Sequence, residues 1–226
     1  MASLKSGTDH GILQTWSKSY RQYTLTQPNH HDATFLTNHD MNRVMSELEG
    51  HGEKASTAAS LLLTLPGNPF IYYGEEIGML GEKPDEYIRE PFLWNLEGTD
   101  PGQTTWQKPW KSSSRTVKPL FFQKVDPHSL FNHYRSLIRV RNEYAALHKG
   151  WTNPILTGNN HVVSFIREAP NERVLVLVNL SEKIEKAMVP SNFMTEKVLY
   201  STHPVFKRSA NEAYLQPYST FIIKVQ

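Results

Sequence analysis

The spacing of apolar and polar residues divides the chain into two parts that differ in their predicted secondary structure. In the first part, apolar residues recur at helical spacing within 11–26 and within 54–65, and the second of these segments has almost no polar face. Short, apolar, β-prone runs at 33–37 and 70–73 stand on either side of segment 54–65. A strand, a buried helix and a second strand joined by short turns predict a βαβ unit with a parallel sheet.

Residues 77–125 show no clear period, and such a long irregular segment in a compact domain is usually functional. It contains three tryptophans, Trp94, Trp106 and Trp110. A further helix is predicted from Asp126 to about His148, because Asp126 and Pro127 suit a helix start. We expect the arginines of this helix to lie on a solvated face, Arg135, Arg139 and Arg141.

The second part begins after Gly150, where short strand-like runs alternate with turn residues. These runs are 162–166, 174–180, 186–189, 197–200 and 220–225. Regular short strands are typical of an antiparallel β-sandwich. We therefore predict an α/β segment over 1–149 and a small, all-β sandwich domain over 150–226.

Composition excludes several classes of protein. The chain has no cysteine, which excludes disulfides, thiol nucleophiles and Cys-ligated zinc. A net charge of +2 gives no reason to expect nucleic acid as a partner. The uncharged stretch 55–74 is interrupted by prolines and glycine, so two elements joined by a turn are predicted instead of a membrane span. No signal peptide follows Met1, and the localisation is left open.

The candidate chemistry lies at the predicted C-terminal ends of the two parallel strands. Asn38, His39 and Asp40 follow the first strand, and Glu75 and Glu76 follow the second. In α/β barrels this face carries the active site, and carboxylates there suit acid/base or nucleophilic work on a glycosidic bond. The competing interpretations are a turn or helix-cap role for Asp40, and support of the strand end for the two glutamates.

Other catalytic motifs and a metal site are not indicated by the sequence. The patterns GxSxG, HExxH, GxGxxG and Walker A do not occur, so serine hydrolases, zinc proteases and nucleotide-binding folds lack their usual signatures. The run His30, His31, Asp32 is interpreted as a polar loop ahead of a strand, and no metal site is predicted there.

Three segments carry a specific resemblance to a known family. They are FLTNHDMNR at 35–43, LPGNPFIYYGEEIGM at 65–79 and KPDEYIREPFLW at 83–94. Together with the β-rich tail, they resemble the C-terminal part of the α-amylase family of glycoside hydrolases. The resemblance implies the last quarter to third of a (β/α)₈ TIM-type barrel, with strands seven and eight, followed by a small antiparallel β-sandwich domain.

The same resemblance implies roles for individual residues. Asp40 would be the family's third catalytic carboxylate, which orients sugar hydroxyls and stabilises the oxocarbenium-like transition state. His39 would hydrogen-bond the same sugar. Arg43 would lie in the loop that follows. Asn38, Arg43 and Trp94 are further candidate substrate contacts, Trp94 because an aromatic face can stack on a sugar ring; the alternative for Trp94 is core or loop packing. The substrate would be an α-1,4-glucan such as starch or a malto-oligosaccharide. Calcium would be a cofactor by family resemblance alone, because the family's usual ligands lie upstream.

One departure from the family pattern is large. The family's nucleophile and acid/base come from earlier strands, and no segment of the GFRxD type occurs here. The 149 residues of the first part are also fewer than the roughly 200–250 of a complete barrel. We therefore expect a truncated hydrolase in which Glu75 and Glu76 are the nearest substitute carboxylates. The alternative is a catalytically inactive carbohydrate-binding or dimerising remnant.

The predicted assembly follows from the same departure. Two barrel strands leave open sheet edges and uncovered apolar faces, and such surfaces favour association. We therefore predict a homodimer in which each chain covers the open barrel face of the other.

Overall fold

The computed structural model describes residues 1–27, 30–96, 99–190, 197–203, 207–209 and 211–225, with no side chains described for 207–209. It confirms the predicted fold class, a partial barrel-like α/β region followed by an antiparallel β domain. In the part of the chain described, no helix is both long and apolar enough to cross a bilayer.

The α/β region contains two short strands and eight helices among the described residues. The strands are β1 (Ala33–Phe35) and β2 (Asn68–Phe70). The helices are α1 (Ala2–Ser6), α2 (Ile12–Thr26), α3 (Val44–Glu47), α4 (Gly52–Thr64), α5 (Asp85–Ile88), α6 (Leu120–Val125), α7 (Leu130–Glu143) and α8 (Ala145–His148), with a 3₁₀ turn over Glu75–Ile77. The β-α-β order predicted for 33–73 is therefore present.

The two strands pair in parallel, with Ala33 opposite Asn68 and Phe35 opposite Phe70. The second strand lies earlier than predicted, because the partner strand β1 ends at Phe35 and offers no ladder to residues 71–73. Parallel pairing brings the C-terminal ends of both strands to the same edge. The loop after β1 and the 3₁₀ turn after β2 therefore emerge on one side of the sheet.

Helix α4 is buried along most of its length, as its lack of a polar face predicts. Its C-terminal carbonyls accept hydrogen bonds from two arginines. Arg141 donates to Leu63 O at 2.8 Å and to Leu65 O at 3.0 Å, and Arg167 donates to Thr64 O at 2.5 Å. Cations are favoured at this end of a helix because the peptide dipoles leave it negative.

These contacts correct one prediction. Arg141 does not lie on a solvated face, since it is buried against the end of α4. Desolvation lowers the pKa of Arg141 to about 10 and that of Arg167 to about 9, so both stay protonated at neutral pH. Periodicity within α7 could not reveal the burial of Arg141, because its partners belong to another helix.

Among the described residues, the β domain contains eight strands in two antiparallel sheets. The strands are β3 (Trp151–Pro154), β4 (Val162–Ala169), β5 (Glu172–Asn179), β6 (Glu185–Met188), β7 (Val198–Ser201), β8 (Lys207–Ser209), β9 (Glu212–Leu215) and β10 (Thr220–Val225). The larger sheet has the order β3-β4-β5-β10-β7, and the smaller one β6-β9-β8. Apolar side chains such as Ile166, Leu177, Leu215 and Phe221 form the core of the sandwich.

The opposite face of the larger sheet packs on the α/β region. Alternate residues of β4 and β5, including Phe165 and Val176, join the same buried cluster as Ala58 of α4 and Leu137 of α7. Because side chains alternate along a strand, both faces of β4 and β5 are buried, and most of their buried residues are apolar. The two predicted domains therefore share one buried cluster, in addition to the separate core of the sandwich. Their predicted boundary at Lys149 and Gly150 stays a prediction.

Candidate active site

A tight turn follows β1 and presents the two candidate sugar-binding side chains to solvent. The side-chain oxygen of Asn38 accepts from the backbone N–H of Asp40 at 2.9 Å, and the N–H of Met41 donates to the carbonyl of Asn38 at 3.2 Å. Asn is favoured in such turns because its side chain bonds to the backbone two residues later. The side chains of His39 and Asp40 are 64% and 61% exposed.

Asp40 has cationic or polar groups on both carboxylate oxygens. Arg89 Nη2 donates to Oδ1 at 3.0 Å, and His39 Nε2 lies 3.4 Å from Oδ2. Arg89 also donates through Nε to the carbonyl of His39 at 2.9 Å and through Nη2 to Asp85 Oδ2 at 2.6 Å. One guanidinium thus joins the loop after β1 to helix α5.

Neither Arg89 nor Asp85 was predicted as a site residue, although both lie in the segment that carries the family resemblance. A signal was available, since Asp85 and Arg89 are four residues apart and such pairs meet on a helix. The pKa of Asp85 is lowered, first by its hydrogen bond with Lys83 and further by the charge of Arg89. Asp85 is thus an anion that holds Arg89 beside Asp40.

Arg43 lies beneath the loop, 1% exposed. Its Nη1 donates to the carbonyl of Tyr73 at 2.6 Å, and its guanidinium carbon lies 4.6 Å and 4.8 Å from the ring centroids of Tyr72 and Tyr73. Desolvation lowers the pKa of Arg43. Gly74 has a positive φ of 85°, and a Cβ there would lie 2.3 Å from the sulfur of Met79 and 3.1 Å from Nη1 of Arg43. The family resemblance placed Arg43 among the substrate contacts, whereas its contacts in the structure support the strand end.

Glu75 is buried, 2% exposed, in the 3₁₀ turn after β2. The hydroxyl of Tyr134, in helix α7, donates to Glu75 Oε1 at 3.3 Å, and the N–H of Tyr72 donates to Oε2 at 3.2 Å. Burial raises the pKa of Glu75 to about 7, because the charged form loses more hydration than these two hydrogen bonds restore.

Glu76 is half-buried, and desolvation also raises its pKa, against hydrogen bonds from the backbone N–H groups of Gly74 and Glu76 itself. The contacts of both glutamates lie within the protein, while Asp40 faces solvent. The structure therefore brings together Asn38, His39 and Asp40 with Arg89. It places the Glu75 carboxylate against helix α7, where the hydroxyl of Tyr134 contacts it.

Trp94 lies further along the loop after β2 and is 43% exposed. Its ring centroid is 4.6 Å from that of Phe92, and its backbone N–H donates to the side chain of Gln103. Among the described residues, no group of three or more His, Asp or Glu side chains is arranged to hold a metal ion. A calcium site therefore rests on the family resemblance alone.

Comparison with known proteins gives a consistent result. The family model described as the alpha amylase catalytic domain matches residues 11–150, and the model of the alpha-amylase SusG C-terminal domain matches 162–222. Alpha-amylase 3 of Dictyoglomus thermophilum is 38% identical over 226 residues, which cover 100% of this chain and 45% of that protein. Alpha-amylase SusG of Bacteroides thetaiotaomicron is 34% identical over 221 residues, which cover 92% of this chain and 31% of that protein.

The solved structures agree. An alpha-amylase from H. orenii superposes with a TM-score of 0.89 at 35% identity, covering 100% of this chain and 46% of that one. Amy13B of Eubacterium rectale superposes with a TM-score of 0.86 at 25% identity, covering 99% of this chain and 45% of that one. The chain thus spans less than half the length of these relatives.

Proposed function

The chain belongs to the alpha-amylase family of glycoside hydrolases, and on that premise we propose that it supplies a sugar site for the hydrolysis of α-1,4-glucans such as starch and malto-oligosaccharides. One observation carries the proposal. The Asp40 carboxylate stands exposed at the C-terminal end of a parallel strand, where barrel enzymes hold their substrates, and Arg89 and His39 flank it. Relatives named alpha-amylase and 4-alpha-glucanotransferase support the substrate class.

The geometry around Asp40 suits the stabilisation of positive charge. An ionised carboxylate accepts hydrogen bonds from two neighbouring sugar hydroxyls, and its charge opposes the charge that develops on an oxocarbenium-like sugar ring. Arg89 occupies one side of the carboxylate and fixes its orientation before the substrate arrives. Preorganised charge of this kind acts without reorganisation at the moment of reaction.

The neighbouring residues take supporting roles in this proposal. The side chain of His39 binds the same sugar through its exposed ring, while that of Asn38 holds the turn that sets the direction of Asp40. Arg43 positions Tyr73 from below, and the half-exposed ring of Trp94 stacks on a sugar.

Hydrolysis also needs a nucleophile or base and a general acid. Glu75 and Glu76 are the candidate substitute carboxylates, and a pKa of about 7 would let Glu75 donate a proton near neutral pH. Its burial against Tyr134 opposes that role, since a general acid must reach the leaving oxygen. This observation favours the second candidate function, in which the chain binds α-glucans without cleaving them.

The test compares reducing-sugar release from starch by the 226-residue chain with that by Asp40→Asn and Glu75→Gln. Turnover that falls at least 100-fold in Asp40→Asn would support hydrolysis through Asp40. Equal turnover in all three proteins would exclude a catalytic role for both the Asp40 and the Glu75 carboxylates. Binding of malto-oligosaccharides without turnover would support the second function. Truncation relative to the family stays a prediction.

The homodimer is proposed on a separate observation. Phe35 and Phe70 lie opposite each other on β1 and β2 and are 47% and 60% exposed. Adjacent exposed aromatic side chains on a two-stranded sheet form an apolar face that a second copy would cover.

A further inference from the structure

An open cleft of about 1020 Å³ lies at the opposite end of the β1–β2 sheet from Asp40. Residues 30–32 line it ahead of β1, residues 66–69 line it at the start of β2, and Arg167 of strand β4 lines it from the β domain. None of the described residues that line it belongs to the candidate active site. We refer to this space as the Arg141 cleft, because Arg141 of helix α7 lies in its lining.

Two buried arginines line the Arg141 cleft without an acidic partner in the described part of the chain. Arg141 is 5% exposed and Arg167 is 1% exposed. Their hydrogen bonds go to backbone carbonyls alone, those of Leu63, Leu65 and Gly67 for Arg141 and those of Thr64 and Gly150 for Arg167. Desolvation, and then the charge of Arg141, lowers the pKa of Arg167, so the two cations lie close enough to repel each other.

The carbonyl groups bind the N–H donors of this pair but leave most of its charge uncompensated. The C-terminal end of α4 supplies about half of an elementary negative charge, against two full positive charges. Burying charges without a counter-ion is unfavourable, and a nearby anion offsets that cost. Nε of Arg167 is also buried and has no hydrogen-bond partner among the described residues. The pair therefore lacks both a counter-charge and one acceptor.

The rim of the Arg141 cleft adds further cationic groups. Lys149 is exposed there, and so are His31 and His148, which supply ring N–H donors and become cations when they are protonated. Among the described lining residues, Asp32 is the one carboxylate. The lining thus has three permanent positive charges against one negative charge. An excess of one sign in a concave space concentrates ions of the other sign.

The lining also indicates which anion it suits. Guanidinium and ammonium groups around one space match a phosphoryl group, whose oxygens accept several hydrogen bonds and which carries nearly two negative charges at neutral pH. A carboxylate or a chloride ion carries one charge and matches the set less well. We propose that the Arg141 cleft binds a phosphoryl group, either as inorganic phosphate or as the phosphate monoester of a small molecule. The site is independent of the proposed function at Asp40.

The test measures binding of inorganic phosphate to the 226-residue chain by calorimetry at neutral pH and low salt. We expect saturable one-to-one binding that is at least tenfold tighter than binding of acetate, because phosphate carries more charge. Raising NaCl from about 50 to 500 mM should weaken it at least tenfold, since salt screens the cations of the rim. Absence of saturable binding of any phosphate compound at millimolar concentrations would overturn the inference.

Glucose 6-phosphate, with glucose as its neutral control, distinguishes the two sources of the phosphoryl group. Tighter binding of glucose 6-phosphate than of inorganic phosphate would support a phosphate monoester as the ligand. Equal or weaker binding would support the free ion. Binding of glucose as tight as that of glucose 6-phosphate would overturn the inference, because the phosphoryl group would then contribute nothing.

Two substitutions of opposite sign test the charges of the lining. Lys149→Gln should weaken phosphate binding about fivefold and Asp32→Asn should strengthen it about threefold, because the first removes a cation and the second removes an anion. Lys183→Gln is the matched control, since Lys183 is exposed in the loop after β5 and does not line the cleft. Equal losses in Lys149→Gln and Lys183→Gln, or weaker binding by Asp32→Asn, would overturn the inference.

The buried pair needs a readout that tolerates a less stable fold. A ligand that binds the folded state alone raises Tm, so the rise caused by phosphate is compared within each variant. Arg167→Gln should show a smaller rise than wild type, while Asp40→Asn should show the same rise as wild type. A full rise in Arg167→Gln would overturn the assignment of the site to the buried pair. Loss of starch hydrolysis in Asp40→Asn with phosphate binding intact would separate the two sites.

Discussion

Arg89 donates a hydrogen bond to Asp40 at 3.0 Å, although 49 positions separate the two residues in the sequence. The same guanidinium contacts the carbonyl of His39 and the carboxylate of Asp85. The candidate sugar-binding turn is therefore oriented by a residue from the loop after the neighbouring strand. A substitution at Arg89 should change how Asp40 is presented without changing the fold.

The first prediction concerns this pair. Arg89→Ala should weaken malto-oligosaccharide binding, and any Asp40-dependent turnover, by about tenfold, because Asp40 loses its fixed orientation. Arg89→Lys should recover only part of the lost affinity and turnover, since an ammonium lacks the forked guanidinium that contacts Asp40 and His39 together. Calorimetry gives the affinity. Lys5→Ala, which breaks the ion pair with Glu47, is the control and should bind normally. Normal binding by Arg89→Ala would contradict the positioning role.

The second prediction concerns Glu75 and the loss of stability as the pH rises towards neutral. Its pKa is raised from 4.5 to about 7, so the folded state binds more protons than the unfolded state between these two values. Stability should therefore fall as pH rises from 4.5 to 7, by up to about 3 kcal/mol. Glu75→Gln should remove this loss, so that the variant is more stable than wild type at pH 8.

Urea unfolding at pH 5 and pH 8 measures the effect of Glu75. Glu53→Gln on α4 is the control, because Glu53 is exposed and the exchange should leave the pH slope unchanged. If the free energy of unfolding fell equally between pH 5 and pH 8 in wild type and in Glu75→Gln, the Glu75 carboxylate would not be the cause of the pH dependence.

The third prediction concerns His133 and acid conditions. Burial lowers its pKa from 6.5 to about 4, so the unfolded state binds the additional proton between these values. Stability should fall as pH decreases from 6.5 to 4, by up to about 3 kcal/mol. Nε2 of His133 donates to the carbonyl of Ser56 at 2.8 Å, which leaves Nδ1 to accept from the hydroxyl of Tyr200.

Protonation of Nδ1 would remove the acceptor for the Tyr200 hydroxyl. This contact lies where α4 and α7 meet strand β7. Thermal unfolding of wild type and His133→Gln between pH 4 and 7 tests this prediction. The variant should be less stable at pH 7 and should lose less stability on acidification. Replacement of the exposed His128 by Gln is the control. Parallel pH profiles in wild type and His133→Gln would contradict the assignment.

The fourth prediction compares two arginines of one helix. Arg141→Ala should lower the free energy of unfolding by about 2–4 kcal/mol, because it leaves the carbonyls of Leu63, Leu65 and Gly67 without their charged donor. Arg139→Ala should change it by less than about 0.5 kcal/mol, since Arg139 is exposed on the same helix. Urea denaturation measures both. Similar effects of the two substitutions would mean that the end of α4 does not depend on Arg141.

The fifth prediction concerns the homodimer. Light scattering at micromolar concentration should give twice the mass of the chain, and Phe35→Ser with Phe70→Ser should convert the protein to monomers. Phe121→Ser on α6 serves as the control, because Phe121 is 57% exposed outside the β1–β2 sheet. A stable wild-type monomer would exclude the proposal.

Local patterns in the sequence were sufficient for the βαβ unit, for most strands of the tail and for the position of Asp40 after the first strand. The βαβ unit was predictable because α4 lacks a polar face and is flanked by β-prone runs, and five of the strands in the tail coincide with predicted runs. The strands β3, β8 and β9 were missed. They are short and mixed in composition, and they gain their ladders from partners elsewhere in the sheets.

Features that depend on distant partners could not be predicted in the same way. Arg141 and Arg139 are both arginines of one helix, and only the position of α4 makes the first of them buried. Glu90 follows the short helix α5 with no local sign that its carboxylate binds the backbone of 110–112. Glu75 and Glu76 were correctly seen to follow the second strand. Their burial depends on α7, which lies more than fifty residues later.

The larger sheet of the β domain is at the same time the outer wall of α4 and α7, since one buried cluster contains residues of all three. Gly150 shows how closely the parts approach, because a Cβ there would lie 2.3 Å from Ala146 O and 2.5 Å from Glu168 O. The sandwich is therefore not an exchangeable module attached to a self-sufficient barrel. Grafted onto another barrel, it would need a helix that presents small residues as α4 presents Ala58 and Ala59, and a glycine at the same crossing.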